Sequence, residues 1–324
     1  MRSVAAARPL SLIGAASSAG AYGPGQERAP ETFRRHGLVA DLQSRGRHVI
    51  DNGDVTTALF REDPGNPRAA NVDTVAAVAK AVAHRVAESL AADHDVLVLG
   101  GDCTVELGTV AGTALDGSSV GLVYVDLDAD LNTPDTGDGV LDWMGVAHLL
   151  DLEGCEERLT TLGARRPLLE PGSLLLMACD RATDPEQAVI DRLRLRRESL
   201  HDVSTDTAAV LDRTRAWAGG LDRLLAQGAA DVAGSPAFPP LLGPRPPVPL
   251  APATRHAATH RPALPPPARA TPDAANAAPK RRPWPRHALL KHLRGSAPRP
   301  AQTHRASGCR FCRTPLYSRR PGLP

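Results

Sequence analysis

The chain has 324 residues and a formal net charge of +2 at pH 7, enough length for one large α/β domain or two smaller ones around a substantial core. That near-neutral total conceals two opposite parts: residues 1–234 hold 22 Lys+Arg against 35 Asp+Glu, and residues 235–324 hold 16 against 1, for formal charges of −13 and +15. Of the 30 prolines, 21 fall in the last 90 residues, a density that regular helices and central strands exclude.

The two parts are therefore expected to differ in kind, with residues 1–227 folded and residues 228–324 a Pro/Arg/Ala-rich, disordered, low-complexity tail. No apolar run approaches the roughly 18 residues that a membrane span needs. The start, Met1-Arg2-Ser3-Val4-Ala5-Ala6-Ala7, runs into a strand-like segment and not into a signal-peptide cleavage pattern. The expectation is a cytoplasmic protein without a membrane partner. Cys103, Cys155, Cys179, Cys309 and Cys312 are odd in number and scattered, which argues against a disulfide framework.

In chain order, Pro9-Leu10-Ser11-Leu12-Ile13-Gly14 opens as a strand ending in a glycine turn. Val72, Val75, Val78, Val82, Val86 and Leu90 recur at three- and four-residue spacing and predict a helix over residues 71–91, with Asn71 or Asp73 as its cap. Asp95-Val96-Leu97-Val98-Leu99 is apolar without alternation, as a strand covered on both faces must be, and it breaks at Gly100-Gly101-Asp102-Cys103. A helix is expected from near Thr104. Strands follow at Val120–Val125 and Leu174–Ala178, then helices over 185–197 and 207–227. This alternation predicts an α/β domain with a mainly parallel sheet.

Three successive strands run into acidic residues, and in an open α/β sheet such strand ends share the rim where ligands bind. The third carries Asp126-Leu127-Asp128-Ala129-Asp130. In extended backbone alternate side chains point the same way, so the three carboxylates are expected to face one point, where a divalent cation would relieve their repulsion. A solvated acidic loop gives the same run, but the apolar strand before it favours metal. At Gly100-Gly101-Asp102-Cys103 the glycines permit close backbone approach, and Cys103 is either a ligand in the same site or a small buried residue in a tight turn.

Together these segments, with Ser11-Leu12-Ile13-Gly14-Ala15 before them and Leu131-Asn132-Thr133-Pro134 after them, resemble the ureohydrolase family of arginases, agmatinases and related guanidino-group hydrolases over roughly residues 9–200. The family's usual forms are Gly-Gly-Asp-His and Asp-Ala-His-Ala-Asp, so Cys103 and Asp128 stand where it has histidine ligands. The resemblance implies a three-layer α/β/α fold and two Mn²⁺ ions. It also implies a metal-activated hydroxide that cleaves the C–N bond of a linear guanidino or amidine substrate, often in a homo-oligomer. Carried over residue by residue, Asp126 would bridge the metals, Asp130 and Cys103 would bind one and Asp128 the other. Asn132 would position substrate, and Asp142, in Asp138-Gly139-Val140-Leu141-Asp142, would occupy the family's proton-transfer position. Thiolate is a soft ligand that disfavours Mn²⁺, and Asp for His adds negative charge.

The family's third motif, Asp-x-Asp-x-x-Asp, is expected shortly after residue 225, and the sequence offers only the echo Asp231-Val232-Ala233-Gly234-Ser235-Pro236. One explanation is a shifted reading frame in a GC-rich gene, which also accounts for the tail's composition. The alternative is a basic extension, including Lys280-Arg281-Arg282, that binds nucleic acid or another anionic surface. Cys309-Arg310-Phe311-Cys312 lacks a second cysteine pair and is read as compositional. Three functions therefore stand beside one another: an arginase-family metallohydrolase, an inactive relative that keeps the fold, and a basic-tailed nucleic-acid-binding protein. Asp180, Asp184 and Glu186 are either substrate contacts or a solvated helix start.

Overall fold

The structure, a computed structural model, describes residues 7–229. The expectations for the basic tail, for Cys309 and Cys312 and for Asp231 fall outside the described residues.

The first half runs β1 (Leu10–Ser17), α1 (Ala29–Arg35), α2 (Leu38–Ser44), β2 (Val49–Ala58), α3 (Val72–Ala91), β3 (Asp95–Leu99) and α4 (Val105–Thr113). The second half runs β4 (Val120–Val125), α5 (Gly145–Leu149), α6 (Glu157–Thr160), β5 (Leu174–Met177), α7 (Asp184–Leu193), β6 (Arg196–Glu198), α8 (Leu200–Thr205), α9 (Thr207–Ala218) and β7 (Arg223–Gly228). The strands make two sheets, ordered β2-β1-β3 and β6-β5-β4-β7, with every pairing parallel. Helices flank them in the expected α/β/α manner.

Residue pattern explains the layering. On β4, Leu122 and Tyr124 enter a core shared with α3 and α4, whereas Val123 packs with Leu175, Met177, Val203 and Val210 on the opposite face. Covered twice, the strand needs apolar residues at every position, hence its lack of alternation. Helix α3 buries Val72, Val75, Val78, Val82 and Val86, the stripe that its spacing predicts. Helix α4 lies close against it because Gly108 and Gly112 carry no Cβ. A Cβ on either would come within 2.4 Å of a backbone oxygen, of Ala79 and Ala83 respectively.

The structure corrects two local expectations and adds a strand. The helix predicted to Arg197 stops at Leu193: Arg194 takes a left-handed φ of 53° and the chain becomes β6, paired with β5. The helix predicted to Gln227 stops at Ala218, and Arg223–Gly228 pairs along the whole of β4. Its Leu-Leu-Ala-Gln stretch has good helix propensity, but the free edge of β4 offers a complete ladder, and tertiary pairing outweighs a weak local preference. Strand β2 was not anticipated, because Asn52-Gly53 interrupts it and its pairing with β1 carries register shifts.

Candidate metal centre

The loops after β1, β3, β4 and β5 meet at one rim. Gly101 passes so close to the end of β1 that a Cβ would lie 1.8 Å from the Ser17 carbonyl oxygen, and Asp102 N–H donates to that same oxygen at 3.0 Å. The buried Asp102 carboxylate accepts from Ser17 Oγ at 3.0 Å, Gly20 N at 3.0 Å and Thr104 N at 3.1 Å, and from the Thr104 hydroxyl. Asp102 therefore fixes the turn that presents Cys103. Across the rim, Asp126 N donates to Met177 O at 3.1 Å, Asp180 N and Arg181 N both donate to Leu127 O, and Ala147 N donates to Asp130 O at 3.1 Å.

The carboxylate run is not extended, which corrects the premise that all three face one point. Asp128 N donates to Asp126 Oδ1 at 3.0 Å, and Asp130 has a φ of 49°, so the backbone curls directly after Val125. Asp126 and Asp130 are buried. Asp128 is turned outward, its side chain 40% exposed and paired at 3.6 Å with Arg181. In its place Cys103 completes the group: ligand atoms of Cys103, Asp126 and Asp130 all lie within 4.8 Å of one another.

Two neighbours shape that triangle. The Tyr124 hydroxyl, fully buried on β4, donates to Asp130 Oδ2. Asp142 Oδ1 accepts from Cys103 N at 2.6 Å, while its Oδ2 accepts from Gln26 Nε2 at 3.4 Å. The position carried over as a proton-transfer group thus adjoins Cys103. Asn132 is half-buried, and its Oδ1 accepts from Thr136 Oγ1 at 3.4 Å.

Burial dominates the electrostatics. It lifts the Cys103 thiol well above its ordinary range, helped by Asp142, Asp130 and Asp126. Asp130 is likewise lifted by burial and by Asp126, against the opposing Tyr124 hydrogen bond. Asp142 is raised to about 6, first by burial and then by the charge of Asp102. A cluster of this kind holds protons that a cation would displace. The donor set, one sulfur on the half-buried Cys103 and carboxylate oxygens of two buried aspartates, fits a divalent cation, and the sulfur moves its preference from manganese toward a thiophilic ion such as zinc.

Two buried acids were not anticipated in these roles. Glu186 is no solvated helix start. It is 3% exposed, its Oε2 closes a capping box with Thr183, and its Oε1 accepts from Leu131 N at 3.0 Å, one residue after Asp130. Glu106, in the first turn of α4, is 5% exposed and neither of its oxygens has a hydrogen-bond partner. Its signal in the sequence was a lone acid among Val105, Leu107, Gly108, Val110 and Ala111. Asp180 serves the loop, accepting from Leu200 N at 3.3 Å.

The arginase family model matches residues 8–221, which takes in β1 through α9 and every residue of this rim. The chain belongs to the arginase family. It is 28% identical over 195 residues to the arginase of Brevibacillus brevis, covering 60% of this chain and 65% of that one. It is also 28% identical over 209 residues to human mitochondrial arginase-2, covering 63% and 59%. The chain thus spans less than two thirds of the length of these curated relatives. Among solved structures, the arginase of Bacillus caldovelox superposes with a TM-score of 0.61 at 24% identity, over 68% of this chain and 74% of that one. An arginase from Bacillus subtilis gives 0.61 at 25%, over 68% and 73%. These likenesses agree with the parallel sheets and flanking helices described above. No helix among the described residues is long and apolar enough to cross a membrane.

Proposed function

We propose that this arginase-family chain is a metallohydrolase that cleaves the C–N bond of a linear guanidino or amidine compound. The observation that carries this reading is the convergence of Cys103, Asp126 and Asp130 at the strand ends, with Asp142 hydrogen-bonded to the Cys103 backbone. Those three residues would hold the cation, which in such an enzyme supplies a hydroxide nucleophile at neutral pH. Asp142, raised to about 6, can take up and release a proton near neutrality on behalf of the departing amine. Asp102 and Glu186 hold the two ligand-bearing loops, and Asn132 lies on the half-buried side of the rim, where it can accept a guanidinium N–H. Arg181, paired with Asp128, keeps that carboxylate turned away from the triangle.

A second reading, a relative that keeps the fold without turnover, is favoured by the same two contacts that occupy carboxylates: Tyr124 on Asp130 and Arg181 on Asp128. Release of urea from arginine, agmatine and guanidinobutyrate and of formamide from formiminoglutamate, measured on the full chain with its metal content determined, separates them. The hydrolase reading expects metal-dependent release from at least one compound. Less than one equivalent of bound metal together with no release from any would overturn the hydrolase reading in favour of the second.

A further inference from the structure

At the other end of the strands from the metal centre, a cleft of about 180 Å³ opens between β1, β2 and the last turns of α3, lined by Ser11, Asn52, Arg85, Glu88, Ser89 and His94. Ser11 lies near the start of β1, level with Val96 near the start of β3, whereas Cys103, Asp126 and Asp130 follow the C-terminal ends of β3 and β4. The two places share no residue. At about 30 Å³ per molecule the cleft has room for about six waters. Ser11 and Ser89 are buried in it.

The lining holds donors that the protein does not itself use. Ser11 Oγ and His94 Nδ1 lie 2.9 Å apart. If the hydroxyl donates, His94 keeps an Nε2–H for a ligand; if the imidazole donates, Ser11 keeps its own proton, so the pair offers a donor in either tautomer. Asn52 Nδ2 directs one hydrogen to Ile50 O at 3.4 Å and has a second. Arg85 approaches Glu88 through Nε at 3.5 Å, and among the described residues its two terminal nitrogens meet no acceptor. Glu88, the acid of the lining, is engaged by Arg85 and, at 3.2 Å, by His84 Nε2. The Glu88, Ser89 and Leu90 carbonyls at the end of α3 already accept from Ala92, His94 and Asp93 N–H.

We propose that this cleft binds a phosphate group, free or on a small phosphomonoester, with the Arg85 guanidinium as its anchor. A cation would meet a carboxylate that is already engaged, and an apolar ligand would leave the buried donors without acceptors. The guanidinium fork matches two oxygens of a phosphate or a carboxylate. The Ser11–His94 pair and the Asn52 amide then serve further oxygens, which a phosphate has and a carboxylate lacks. The site is separate from the metal centre, so the inference does not depend on the hydrolase reading.

Calorimetric titration of the full chain with inorganic phosphate, glycerol 3-phosphate and acetate, at an ionic strength held constant with chloride, tests it. Phosphate is expected to saturate one site and to bind at least roughly tenfold tighter than acetate, and Arg85→Gln is expected to weaken it at least roughly tenfold through loss of a charge-assisted pair. Arg85→Lys, which keeps the charge without the fork, is expected to fall between them, whereas a long-range electrostatic role would leave it like the wild type. Tighter binding of glycerol 3-phosphate than of phosphate would assign the site to an ester, and the reverse order to the free ion. The Arg85 side chain is 42% exposed, so both variants are expected to melt with the wild type in the absence of ligand; His94→Gln carries the same comparison should they fail to fold. Equal phosphate binding by the wild type and Arg85→Gln would place the ion at the metal centre or on the general surface and overturn the proposal, as would no binding at all or acetate bound as tightly as phosphate.

Discussion

Replacing Glu186 should damage the fold and the metal centre together, because one carboxylate joins the start of α7 to the backbone just beyond Asp130. It accepts from Leu131 N at 3.0 Å, Thr183 N at 2.8 Å and Thr183 Oγ1 at 2.8 Å. Leu131 is 1% exposed, so in Glu186→Ala its N–H is left buried and unpaired at a cost of about 1–3 kcal/mol. Thr183 is exposed, so its N–H can turn to water, and loss of the capping box adds about 1 kcal/mol. The sum is about 3 kcal/mol, a large part of the roughly 5–15 kcal/mol that holds most domains. At about 2–4 °C per kcal/mol for a domain of this size, the melting temperature should fall by about 6–12 °C. Glu186→Gln keeps an acceptor for Leu131 and should lose only about 1 kcal/mol, the capping contribution. Urea denaturation of both variants, with exposed Asp191→Ala as the control, measures this series, and Zn²⁺ affinity should decline in the same order. An alanine variant within about 0.5 kcal/mol of the control, the scatter of an ordinary surface change, would refute the coupling.

His148 is fully buried, with Nδ1–H directed at the Met144 carbonyl at 2.7 Å and Nε2 accepting from Glu156 N at 3.1 Å. Burial holds its pKa below the ordinary value, so the unfolded chain binds more protons below about pH 6.5 and stability should fall as pH drops through that range. Denaturation at pH 7.5, 6.5 and 5.5 should show a shallower pH slope for His148→Gln, and an unchanged slope would refute the assignment. Gly108→Ala should destabilise by about 1–3 kcal/mol through overpacking against Ala79 and Val82. Gly172→Ala, where a Cβ meets nothing within 4 Å, should be near neutral, and equal melting temperatures for the two would count against the close packing of α3 and α4. Cys103→His should raise the ratio of Mn²⁺ to Zn²⁺ affinity in competition titrations, and a constant ratio would remove Cys103 from the ligand set. Asp142→Asn, which still accepts from Cys103 N, should lower kcat by about 10²–10⁴ under the hydrolase reading while leaving metal affinity near that of the wild type.

What the sequence determined by itself was periodic or chemically marked. The valine stripe of α3, the unalternating apolar strands β3 and β4, and the acids at strand ends each express a local requirement, a buried face or a rim, that the residue pattern must obey. Cys103, two residues after the Gly100-Gly101 pair, and the Asp126–Asp130 run pointed to one centre for the same reason. Only the tertiary structure decided which of those acids meet. Asp128 turns out to Arg181 because the run curls where strand pairing ends, and Cys103 arrives across 23 residues of chain because Gly101 lets its turn press on β1. Arg223–Gly228 became β7, against its helical composition, since the edge of β4 lay open beside it. Glu186 acquired its meaning in the same way: an acid on a buried surface is defined by what surrounds it, and those surroundings come from parts of the chain far away in sequence.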